Sequence, residues 1–223
     1  MKNKILIIAA HPDDEVLGCG GMAAKQSKLG DEIYCLIMGE GENSRSEQAE
    51  KLKIEKLQQD GRAAAAVLGF KEVVFLNFPD NSFDTVSLLS ITKKIEEHLE
   101  KIKPNIVYTH FENDLNVDHR LTFQAVMTAC RPCNDFCPRE IYSFEVLSST
   151  EWQSKQGKQF APNFYVDIED AIDAKKEALK KYTSEIRDYP HSRSIEGIEA
   201  LARYRGLESG LKLAEAFCLI RKI

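Results

Sequence analysis

The sequence predicts an α/β fold, a mostly parallel sheet between layers of helices in one domain. Three observations predict it. Short apolar runs alternate with longer amphipathic stretches from Lys4 to Ala129, the pattern of successive βαβ units with right-handed crossovers. The helical stretches end on residues that stop helices: Gly30, Gly69, Pro104 and the pair Arg131-Pro132. No repeat, low-complexity segment or long linker interrupts the 223 residues, which suffice for one large domain with a substantial core.

Taken in order, Lys4–Ala10 reads as a first strand, because Ile5-Leu6-Ile7-Ile8 is a short apolar run closed by a charged turn. Glu15–Leu29 follows as a helix. Glu32–Met38 is a second strand and Ser46–Leu68 a long helix. Glu72–Asn77 is a third strand, Ser87–Lys101 an amphipathic helix, Asn105–Thr109 a fourth strand and Asp118–Ala129 a helix. The remainder is less regular, with strands expected at Glu140–Leu147, Asn163–Asp167 and Ala214–Leu219 and helices at Glu169–Ser184 and Ile195–Gly206.

Composition excludes several classes of function. Hydrophobic residues make up 43% and charged residues 29%, ordinary for a soluble globular protein. A net charge of −5 argues against a nucleic-acid or anionic-membrane partner, which needs a basic face. No apolar stretch is long enough to insert into a bilayer, and Ile5–Ala10 is too short for a signal-peptide core. A cytoplasmic protein is expected. The six cysteines then read as reduced thiols. Cys130-x2-Cys133-x3-Cys137 lacks the second pair that a metal site needs, and is read as structural.

Two segments stand apart. Ala9-Ala10-His11-Pro12-Asp13-Asp14-Glu15 follows the first strand, and the carboxyl ends of strands are where open α/β sheets bind ligands. His11 and one Asp suit a divalent metal, and the neighbouring Asp can hold or deprotonate a water. The competing reading is an acidic helix N-terminus that complements the macrodipole. The second segment, His110 to Arg120, follows the fourth strand, with His119 in the first turn of the next helix. His11, Asp14 and His119 would form a two-His, one-carboxylate set with an open position, the pattern of catalytic zinc. Non-haem Fe2+ uses the same donors. Taken alone, Asp118 reads as an N-cap and His119 as a surface residue; two such loops at strand ends favour the metal.

Ala-His-Pro-Asp-Asp-Glu together with Asp118-His119-Arg120 resembles the PIG-L/LmbE-like de-N-acetylases, supported by Phe78-Pro79-Asp80, Ser143-Phe144-Glu145 and Pro190-His191-Ser192-Arg193-Ser194. The resemblance implies a single deacetylase domain over 1–223, a Rossmann-like three-layer sandwich. It also implies zinc-dependent removal of the N-acetyl group from an N-acetylglucosamine-type conjugate or nucleotide sugar, a small-molecule substrate. His11, Asp14 and His119 match the family's zinc ligands and Asp13 its general base. One position departs. Asn116 stands where many members carry a His, so it can donate to an oxyanion but cannot transfer a proton at neutral pH. Another residue supplies the acid, or Asp13 does both jobs. His191, in a Pro-punctuated loop, is a candidate for protonating the amine or holding the sugar, and otherwise a surface residue. Arg193 is a candidate partner for an anionic substrate group. Asp80 is placed either to bind sugar hydroxyls or to form a turn. Gly18-Cys19-Gly20-Gly21 lacks the dinucleotide-binding spacing and is assigned to close helix packing. The alternatives are a non-catalytic metal- or sugar-binding protein and a hydrolase of another amide; a homo-oligomer stays open.

Overall fold

The computed structural model describes residues 2–41, 47–133 and 136–223. Its elements are β1 (Lys4–Ala9), α1 (Asp14–Lys28), β2 (Glu32–Gly39), α2 (Glu47–Leu68), β3 (Glu72–Phe78), α3 (Leu88–Ile102), β4 (Ile106–His110), α4 (Val117–Ala129), β5 (Glu140–Phe144), β6 (Phe164–Asp167), α5 (Ile172–Leu179), α6 (Ile195–Ser209) and β7 (Ala214–Lys222). Ser46, expected to open the second helix, lies outside the described residues.

One seven-stranded sheet runs in the order β3-β2-β1-β4-β5-β7-β6. The strands β1 to β5 are mutually parallel, and β7 lies antiparallel between β5 and β6. The chain is thus the mostly parallel, three-layer α/β sandwich that the sequence predicts. Every residue of β1 beyond Lys4 is buried, as a central strand covered on both faces requires. Ile5 and Ile7 face the layer of α1, α2, α5 and α6, in one cluster with Val16, Met22, Leu68 and Tyr182. Leu6 and Ile8 face α3 and α4, against Ile91, Ile95, Leu99, Ala125 and Val126. Among the described residues no helix is long and apolar enough to cross a membrane.

The order of the strands places the site. The chain leaves β1 toward β2 on one side and later returns to β4 on the other, so the crevice at the carboxyl end of β1 lies between the loops after β1 and β4. Both chemistry-bearing segments belong to those two loops.

Among the boundaries that differ from the sequence reading, three have a clear packing reason. β5 stops at Phe144, after which the Val146 N–H donates to Thr150 Oγ1 and the chain turns. α5 ends at Leu179 because the next residues tighten into a turn that buries Tyr182 completely. β7 runs on to Lys222, since pairing with β5 continues to Glu140.

α1 is broken at Cys19 (φ −149°, ψ 20°). The N–H groups of Gly21 and Met22 donate to the two carboxylate oxygens of Glu215 (2.8 and 2.6 Å), and Lys175 Nζ joins Glu215 to the Leu17 carbonyl (2.6 and 2.8 Å). A buried ion pair thereby satisfies the interrupted helix ladder. The glycines of this stretch permit close approach. A Cβ on Gly18 would lie 2.3 Å from the Phe144 ring, and one on Gly21 2.9 Å from Ile168.

Candidate active site

The loop after β1 owes its shape to Asp13, whose backbone is left-handed (φ 94°, ψ −26°), a region Asp tolerates better than most residues. Glu15 holds this turn. Its Oε2 accepts the Asp13 N–H (3.1 Å) and its Oε1 accepts the Tyr182 hydroxyl (2.6 Å). The two neighbouring carboxylates consequently diverge. Asp14 faces His11 and His119, while Asp13 faces Arg193, whose Nη1 donates to its Oδ2 (3.0 Å).

The loop after β4 is held by carboxylates. Asn116 caps α4, its Oδ1 accepting the Asp118 N–H (2.8 Å). Asp118 Oδ1 accepts the Phe83 N–H (3.0 Å) and Oδ2 faces His11 Nε2 (3.0 Å). Asp114 Oδ1 faces His119 Nδ1 (3.1 Å), and the hydroxyls of Ser149 and Thr150 donate to the same carboxylate. Behind them His110 is fully buried, accepts the Ala10 N–H through Nε2 (2.7 Å) and stacks on His119 at 3.9 Å.

These contacts leave one nitrogen of each imidazole pointing to a common place. His11 Nδ1 lies 3.3 Å and His119 Nε2 3.2 Å from the same oxygen, Asp14 Oδ2. His11, Asp14 and His119 each offer a donor atom, all within 4.8 Å of one another. The second nitrogen of each ring rests on a buried carboxylate, the outer arrangement that orients metal-ligating histidines. The residues therefore fit a divalent metal. A second group, His11, Asp80 and Asp118, also brings three donor atoms within 4.8 Å of one another. There both Asp118 oxygens already take part in hydrogen bonds and Asp80 Oδ1 lies 3.4 Å from His11 Nε2, so this group reads as support for the His11 ring.

Electrostatics agree with a cation site. Burial alone would push the histidine pKa values down, yet Asp118 and Asp14 carry His11 up to about 10, and Asp14 and Asp114 carry His119 up to about 9. Burial opposes the charge on Asp14, but His119 and His110 hold its carboxyl well below the usual range. Asp13 behaves differently. Burial pushes it up to about 7, against the lowering influence of Arg193.

A cavity of about 220 Å³ opens onto these groups, lined also by Asp80, Asn81, Asn116, Ser149, Glu185 and Arg193. Asn116 Nδ2 donates to Asn81 Oδ1 (3.1 Å), and Asn81 Nδ2 to Asp80 Oδ2 (2.8 Å). Arg193 Nη1 bridges Asp13 and Glu185 Oε2 (2.9 Å). His191 is not among the lining residues. Its Nδ1 accepts the Arg193 N–H (3.1 Å) and its ring meets Trp152 edge-on. Sequence reasoning missed Asp114, Glu15, Tyr182, Asn81 and Glu185 as parts of the site. Asp114 lies inside the second motif and carried a signal; Tyr182 and Glu185 carried none.

The sequence pattern of the GlcNAc-PI de-N-acetylase (PIG-L) family matches residues 6–130, more than half the chain. This chain belongs to that family. A protein of Escherichia coli named uncharacterized deacetylase YaiS is 30% identical over 188 residues, covering 81% of this chain and 90% of the relative. The diacetylchitobiose deacetylase of Thermococcus kodakarensis is 25% identical over 228 residues, covering 95% and 81%. Among solved structures, the 4-carboxy-2-hydroxymuconate hydratase GalB of Pseudomonas putida KT2440 superposes with a TM-score of 0.78 at 20% identity, covering 100% of this chain and 98% of that one. The fold thus also serves a hydratase, so the reaction has to be argued from the site.

Proposed function

We propose that this PIG-L protein is a metal-dependent hydrolase that removes the acetyl group from an N-acetylated amino sugar. The observation that carries the reading is the convergence of His11 Nδ1, Asp14 Oδ2 and His119 Nε2 beside an acidic group of shifted pKa, Asp13, at the floor of one cavity. Zinc suits two imidazoles and a carboxylate, and Fe2+ accepts the same set. Such an ion supplies a Lewis acid for the amide carbonyl and acidifies the attacking water.

The remaining chemistry belongs to the chain's own side chains. Asp13 takes a proton from water as its oxygen bonds to the acetyl carbon. A carboxyl near 7 can hold and return that proton at neutral pH. Asn116 has its Oδ1 engaged by the Asp118 N–H and one Nδ2 hydrogen by Asn81, so its second Nδ2 hydrogen is available to the carbonyl oxygen. When the C–N bond breaks, the sugar nitrogen takes its proton from Asp13, acetate leaves, and the free amine follows. His191 is assigned no proton transfer, because it stands behind Arg193 rather than on the cavity wall. Arg193 steadies Asp13 against Glu185, and Asp80 and Asn81 offer hydrogen bonds to sugar hydroxyls.

The test is acetate release from N-acetylglucosamine glycosides by zinc-loaded, chelated and His119→Ala protein. Release by the loaded parent alone is expected. Equal release by chelated protein would overturn the proposal.

A further inference from the structure

Trp152 follows a cavity-lining segment but takes no part in the chemistry above. It is the only tryptophan of the chain and is 54% exposed. It sits in a short 3-10 turn, Thr150–Trp152, directly after Ser148 and Ser149, which line the cavity. From the other side His191 packs its ring edge-on against the indole (5.6 Å, 81°), and His191 is tied to the cavity-lining Arg193. The indole is thus flanked by two segments that contribute cavity-lining residues, Ser148-Ser149 and Arg193, while lying outside the lining itself.

Hydrogen bonds also tie this turn to the metal donors. The Trp152 N–H donates to the Ser149 carbonyl (3.2 Å), and Glu151 accepts the N–H groups of Ser148 (2.7 Å) and Ser149 (3.2 Å). The Ser149 and Thr150 hydroxyls bind Asp114, the carboxylate that orients His119. Such pre-organisation lowers the ordering cost of binding.

Cavity size and charge say what the rim meets. At about 220 Å³ the cavity is smaller than the roughly 300–1,000 Å³ of sites that enclose a drug-sized ligand, so a conjugate much larger than one sugar ring would extend beyond its lining. Beyond the metal donors, the described lining residues offer one guanidinium, Arg193, and it already bridges Asp13 and Glu185. Phosphate is poorly matched there, whereas the C–H face of an uncharged pyranose fits an exposed indole.

We propose that Trp152 is a stacking subsite for the neutral sugar ring linked to the ring being deacetylated, making the substrate an oligosaccharide rather than a monosaccharide or nucleotide sugar. This rests on the deacetylase reading. Because the chain has one tryptophan, its emission reports on this residue alone. Titration of zinc-loaded protein with β-1,4-linked glucosamine dimer, a ligand with no acetyl group to lose, is expected to shift that emission saturably, and glucosamine is not. In acetate-release kinetics, Trp152→Ala is expected to lower kcat/KM for the N-acetylglucosamine dimer by about three- to tenfold more than for the monomer. The loss should lie in KM, with Trp152→Phe restoring part of it. An unchanged emission at saturating dimer, or equal losses on dimer and monomer, would overturn the subsite. If no saccharide releases acetate, the deacetylase reading fails, and the emission titration still decides the subsite.

Discussion

Asp114→Asn is the most informative single substitution, because the carboxylate orients His119 and lies outside the donor set. In the structure it receives His119 Nδ1 on Oδ1 together with the hydroxyls of Ser149 and Thr150, and it is buried. An amide in its place turns one acceptor into a donor and removes the charge. Outer carboxylates of this kind are typically worth about 10- to 100-fold in metal affinity, or about 1.4 to 2.7 kcal/mol. Stability without metal is affected independently. Burial opposes the Asp114 charge, but hydrogen bonding with His119 and that residue's charge bring its pKa from 3.8 to about 2. A carboxyl held lower in the folded than in the unfolded chain stabilises above its unfolded value, and that stability is lost as pH falls from about 4 to about 2. Nearly two pKa units correspond to about 2 kcal/mol at neutral pH, or a melting temperature lower by about 4–8 °C for a chain of this size. Competition against a chromophoric chelator measures the first effect, and thermal unfolding of chelated protein the second. Zinc affinity within twofold of the parent would refute the orienting role of Asp114.

Three further outcomes are expected. Asp13→Asn should bind metal stoichiometrically while kcat falls by about 10² to 10⁴, and near-parental turnover would remove Asp13 from the base role. Metal uptake at pH 7 should release protons, because His11 and His119 titrate at about 10 and 9 in the metal-free protein; affinity should therefore rise with pH. Calorimetry in buffers of different ionisation enthalpy reads the proton count, and a count of zero would contradict it. Gly18→Ala, whose Cβ would press on Phe144, should destabilise by about 1–3 kcal/mol in denaturant unfolding, and a neutral result would show that the ring has room to move.

The sequence was most legible where local pattern and tertiary demand coincide. Ile5 to Ala10 is apolar at every position because β1 is covered on both faces, and the charged turn after it marks the carboxyl end of a strand. The two metal-type loops were legible, and their shared place at strand ends led to one expected donor set. Their meeting depends on β4 lying beside β1, an adjacency that skips β2 and β3 and has no local signature. Positioning residues were least legible. Tyr182 reaches Glu15 across 167 positions, and Arg193 reaches Asp13 across 180, through loops whose composition resembles any polar turn. The helix expected over Glu169–Ser184 is shorter in the structure for the same reason: beyond Leu179 the chain bends to bury Tyr182.

The central claim is where a metal binds. Anomalous diffraction at the zinc edge from crystals of zinc-loaded protein tests it most directly. The expected result is one ion per chain, with His11 Nδ1 and His119 Nε2 about 2.0–2.1 Å away and Asp14 completing the protein donors. Zinc between His11 Nε2, Asp80 and Asp118, or no ordered zinc in this crevice, would contradict it.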